Sequence, residues 1–136
     1  MQTTIILLLF ALGGAFKGIA DAVGVVQIRI AKIELFEKKT LLKRIEDINF
    51  GAIRLGWFLD FPCDSWHLAI TLHYAFLAVG SWLVVVLPTE IWFTIFNLNL
   101  TNQFVLFAIG WIIVRPIFQN SVQDSLLKNK LVFRFW

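Results

Sequence analysis

The sequence predicts an all-α integral membrane protein: three transmembrane helices plus an amphipathic helix lying in the interface on the cytoplasmic side, with residues 1–136 forming a single membrane domain. Composition comes first. Of 136 residues, 59% are apolar, 15% aromatic and 15% charged, whereas a soluble domain carries about 45–50% apolar and about 25% charged residues. The mean hydropathy is +0.79. Second, the apolar residues gather into runs long enough to cross a bilayer. Third, the basic residues fall almost entirely on one side of those runs.

The first run covers 3–26 and holds two charges, Lys17 and Asp21. About 20 helical residues cross a hydrocarbon core of about 30 Å, so it is long enough to span. A cleavable signal peptide is the competing reading, but Met-Gln-Thr-Thr supplies no basic n-region, which favours a retained anchor. Residues 27–49 are charged, with Ile30, Ile33, Leu35/Phe36, Leu41/Leu42, Ile45 and Ile48 close to helical spacing. One apolar stripe with Lys and Arg around it predicts the amphipathic interfacial helix, continuous with the first span or bent at Gly24. A solvated helix touching only protein is the plainer alternative.

The second span covers 64–87 and stops at Pro88, which lacks a donor and clashes with the preceding turn. The amides of NLNLTNQ at 97–103 are costly in lipid. They place 90–102 outside the core as an interfacial hairpin or short helix, with the third span at 103–118 ending at Arg115-Pro116. Asn99-Leu100-Thr101 is a glycosylation sequon, a pattern frequent by chance. Lys and Arg crowd 27–62 and the segment after the third span, and the loop between spans two and three has none. The prediction is a multi-pass protein of the inner membrane, N-terminus out and C-terminus cytoplasmic, with LVFRFW as an aromatic anchor.

Polar groups inside spans are functional candidates. Lys17 and Asp21, four apart, share a helix face and can neutralise each other. Beside them Gly14, Gly18 and Ala22 form a ridge of small residues that lets another helix approach. In the second span Asp64, His67, Thr71, Tyr74, Ala78 and Ser81 recur every three or four residues as a polar stripe. Docking that stripe on the Lys17/Asp21 face gives an intramembrane cluster of Lys17, Asp21, Asp64, His67, Thr71 and Tyr74. Such a cluster admits three roles: holding helices in register, carrying protons or ions through His67, or binding a headgroup or divalent cation. Whether a metal binds is open. His73 lies off the stripe and reads as a packing or interfacial residue.

The chain has one cysteine, Cys63, and no zinc-ligand spacing, P-loop, G-x-S-x-G or dinucleotide fingerprint, so no cofactor, enzyme activity or nucleic-acid binding is expected. The stretch WFLDFPCDSWHLAI at 57–70, with Asp64, Trp66 and His67, resembles small uncharacterised bacterial polytopic membrane proteins that carry Asp-x-Trp-His at the start of a transmembrane helix. The polar pair Lys17 and Asp21 matches their first helix, while the basic segment stands where a longer Trp-rich connection is expected. That resemblance implies a bacterial three-span protein and no particular chemistry. The reading is a structural or accessory subunit of a homo-oligomer or larger membrane complex, with lipid and other membrane subunits as partners. A conducting or pore-forming protein is the alternative, since the three-span plan with a basic tail also resembles phage holins.

Overall fold

The computed structural model describes residues 2–29, 41–57, 59–87, 93–95, 98–100 and 102–135. The chain is mostly helical, and three helices are long and apolar enough to cross a membrane: Gln2–Val25, Ser65–Val86 and Gln103–Lys128. α1 (Gln2–Arg29) is the central element, packed against both α3 (Ser65–Val86) and α5 (Arg115–Lys128). α5 continues from α4 (Asn102–Ala108) through a π-helical segment, Ile109–Val114.

The core divides in two along α1. At one end Ile6 and Phe10 pack with Leu77, Val84 and Leu106. At the other, Ala22 and Val23 pack with Leu42 of the short helix α2 (Leu41–Glu46), and Ile19, Ile45, Trp66 and Leu126 close around them. α3 therefore runs antiparallel to α1, while α4 and α5 run parallel to it.

α3 begins where Asp64 accepts the Nα–H of His67 at 2.8 Å, an N-cap for a donor that otherwise has no partner in the first turn. It ends at Val86, and Leu87 is extended (φ −93°, ψ 136°). The residue before a proline is driven out of the α region by the ring's Cδ, which accounts for that stop.

Three expectations change. The fold is not purely α. β1 (Asn49–Leu55) and β2 (Leu59–Asp64) form an antiparallel hairpin, and β3 (Phe93–Ile95) pairs with β4 (Leu98–Leu100) in a second one. Gly51 (φ 82°) and Gly56 (φ 69°) supply left-handed backbone in the first hairpin. The Gly51 N–H is held by the Asn49 side chain at 2.8 Å, beside an irregularity in the register.

The helix expected over 27–49 is described only in part. Residues 27–29 finish α1, 41–46 are α2, the chain turns at Asp47 and Ile48 and becomes extended at Asn49; 30–40 lie outside the described residues. The interfacial hairpin or helix expected at 90–102 contains the β3–β4 hairpin.

The third span does not end at Arg115-Pro116. The helix runs on to Lys128, and Asn129 closes it in the left-handed conformation (φ 50°). Proline's ring collides with the carbonyl four residues back and offers no N–H. The π segment immediately before Pro116, where the Arg115 N–H reaches back to Gly110 O, widens the helix at that point so that it passes the proline unbroken.

Candidate functional site

The polar groups of the three apolar helices form two separate constellations and one exposed stripe. The first lies along the α1–α5 seam. A Cβ at Gly14 would run into the Arg115 carbonyl, and one at Gly18 into the Gln119 carbonyl, so the two backbones touch where α1 has no side chain. One row over, Lys17 Nζ lies 2.5 Å from Asp21 Oδ1, and Gln119 Nε2 donates to Asp21 Oδ2 at 2.7 Å. Both Asp21 oxygens are thus engaged, one by its own helix and one by α5. Ala22 is fully buried in the adjoining core.

The second constellation caps α3. Asp64 Oδ1 accepts from both the Nα–H and the ring Nδ1 of His67, each at 2.8 Å. The carboxylate can only accept, so Nδ1 carries the proton. Burial works to raise the Asp64 pKa, but the hydrogen bonds from His67 outweigh it and hold the carboxyl below its ordinary value of 3.8. Trp66 and Phe61 flank the imidazole edge-on. Asp64 and His67 satisfy each other, while Asp21 is taken up by Lys17 and Gln119, so the hydrogen bonds do not merge them into one cluster.

The expected docking of the α3 polar stripe on α1 does not occur. Thr71 and Ala78 are exposed, and Tyr74 is 63% exposed on the outside of the bundle. Of the stripe, Ser81 hydrogen-bonds another long helix, accepting from Trp111 Nε1 at 3.3 Å. The face that α3 turns inward is Ser65, Ala69, His73, Leu77, Gly80 and Val84, all buried. Small residues decide this choice: Gly80 lets Leu9 and Phe10 close in, and on α1 Gly13 lies against Leu77.

Three polar residues outside the expected cluster lie within these helices, one of them His73, which takes the packing role read from the sequence. His73 is 3% exposed, and its Nδ1 donates to the Gly13 carbonyl of α1 at 2.7 Å. Gln119 completes the Asp21 contacts. Arg115 sits midway along the third long helix with its guanidinium 5.2 Å from the Trp111 ring centre, and its Nε is buried without a hydrogen-bond partner. The usable signal was the i,i+4 spacing of Arg115 with Gln119 and of His73 with Ala69 and Leu77. Arg115-Pro116 has the local form of a helix end, and on α3 the polar residues are more regularly spaced than the small ones, which masks that signal.

No group of three or more His, Cys, Asp or Glu side chains placed to hold a metal occurs among the described residues. Cys63 is a free, buried thiol whose Sγ lies 3.8 Å from the Phe61 carbonyl. No family model, curated protein or solved structure matches this chain. What it can do chemically rests on its own geometry: helix–helix cohesion through charge-assisted hydrogen bonds, and an outward stripe able to meet another polar surface.

Proposed function

We propose that the protein is a small multi-pass protein of a bacterial inner membrane that serves as a structural or accessory subunit of a homo-oligomer or larger membrane complex. One observation carries this reading. Lys17, Asp21 and Gln119 are committed to the contact between α1 and α5, whereas a transport path needs such groups facing a water-filled route. The basic residues support an N-out, C-in orientation. Lys43, Arg44, Arg54, Lys128 and Lys130 lie at or beyond the end of the bundle where α2 and Leu126 pack, and Arg134 folds back beside Asp124 near the same end. The third helix buries only 17% of its most apolar window, leaving an apolar face for lipid or a partner subunit.

Affinity purification of the tagged full chain in mild detergent, with crosslinking in the membrane beforehand, tests the proposal. Recovery of a defined oligomer or of a heterologous membrane subunit is expected. Monomers alone in both experiments would overturn it.

The outward stripe favours a second reading, in which several copies set Thr71 and Tyr74 around a conducting path. Liposome flux then has to fall in Thr71→Val and Tyr74→Phe, substitutions that leave the Asp64 cap intact. Unchanged flux discards that reading.

A further inference from the structure

At the end of the bundle carrying α2, a crevice of about 290 Å³ opens between α1, α3 and the segment from α2 into β1. Its walls include Phe16 and Ile19 of α1, Ile48 after α2, and Leu68 and Leu72 of α3. The one hydroxyl in the wall, that of Ser65, already donates to the Glu46 carbonyl at 3.4 Å. A polar ligand would find no partner there, whereas a hydrocarbon chain loses nothing on entering. The crevice follows the groove between two long apolar helices, and its outer rim is the α2–β1 segment.

That rim has the character of a membrane interface. Phe50, Ile53 and Trp57 of the first hairpin are all more than half exposed, which suits rings and aliphatic groups at headgroup depth. The cations there are not equivalent. Lys43 is paired with Asp47 at 3.0 Å and Arg54 with Asp60 at 3.2 Å. Arg44, exposed and adjacent in sequence to the wall residue Ile45, has no anionic partner among the described residues. An apolar slot with an exposed guanidinium one residue along from its wall, unpaired among the described residues, matches one chemistry, an acyl chain joined to a phosphate.

Resting on the membrane reading above, we propose that this crevice binds an anionic glycerophospholipid of the surrounding bilayer, one acyl chain lying between α1 and α3 and the phosphate on Arg44. A bidentate guanidinium–phosphate contact supplies the headgroup preference, and the slot supplies retention.

Native mass spectrometry of the full chain, with phosphatidylglycerol and phosphatidylcholine of matched chains, tests this. Wild type should retain phosphatidylglycerol about fivefold better, the equivalent of about 1 kcal/mol for one basic residue at an anionic surface. Arg44→Gln should abolish the preference, and Arg54→Gln, whose cation is already paired, should keep it. Leu72→Trp or Ile48→Trp, which fill the slot, should cut retention of both lipids, with circular dichroism confirming that at least one is folded. Equal retention of the two lipids by wild type overturns the proposal, as does undiminished retention by a folded slot-filling variant. Carbonate extraction separates the two readings. Release of wild type from membranes defeats the membrane reading itself, whereas a pelleted protein without lipid preference defeats only the lipid site.

Discussion

The α1–α5 seam and the outer face of α3 both carry polar residues at regular helical spacing, and the fold treats them in opposite ways. Along the seam, Gly14 and Gly18 bring the α5 backbone into contact, and the neighbouring Asp21, half-buried and paired with Lys17, accepts from Gln119. On α3, the row Asp64, His67, Thr71 and Tyr74 stays outside, because the small residues Ser65, Ala69 and Gly80 lie on another face. Between apolar helices, burial of apolar area does not favour one face over another, so van der Waals approach selects the contact and polar groups follow it.

The comparison breaks most readily at the seam. Gly18→Val places methyl groups against the Gln119 carbonyl and Val122. A loss of about 1–3 kcal/mol or more is expected in detergent unfolding, the range for overpacking. Gly24→Ala, whose added Cβ would sit 3.7 Å from Trp66 Nε1 in ordinary contact, should be tolerated. Equal losses in the two variants would mean that close approach is not what holds α1 to α5.

The α3 cap comes next. Asp64→Ala should cost about 1 kcal/mol. Because the native Asp64 pKa is depressed, its contribution is present above the ordinary value of 3.8 and is lost as pH falls through the lower native value. Wild type should therefore lose stability on acidification below about pH 4 more steeply than Asp64→Asn. Parallel pH profiles would show that the His67 bonds add nothing.

A smaller effect is expected inside the seam. A double-mutant cycle between Asp21→Asn and Gln119→Leu should give a coupling near 0.6 kcal/mol, the average for polar contacts between membrane helices. Zero coupling would remove the hydrogen bond from the account. Smallest of all, Thr71→Val and Tyr74→Phe should shift the stability of an isolated chain by less than about 0.5 kcal/mol. A larger shift that depends on protein concentration would show that the stripe is covered by another copy.

Much of this was legible in the residues, and the failures have identifiable causes. The first two apolar runs and the stop before Pro88 follow from hydropathy and proline sterics, both local. Arg115-Pro116 reads locally as a helix end, yet the π segment at Ile109–Val114 lets the helix continue, and with it Arg115 and Gln119 enter the bundle. The hairpin from Asn49 to Asp64 was missed because Ile45 and Ile48 extended a helical period up to it. Its irregular register depends on left-handed Gly51 and its turn on left-handed Gly56, and glycine is also common in apolar helices. His73 and Tyr74 are neighbours in sequence with opposite fates, because α1 takes the face on which Ala69 and Gly80 lie.

By itself, then, the amino-acid order determined properties that depend on one segment at a time: three apolar segments able to enter a membrane, the third without its true length, the Lys17/Asp21 pair four residues apart, a ridge of small residues beside it, and basic residues gathered to one side. Only the tertiary structure decided which polar groups meet. That outcome depends on the closest approach of two backbones, and an approach set by Gly13, Gly14, Gly18 and Gly80 together belongs to the packed set of helices and to none of them singly.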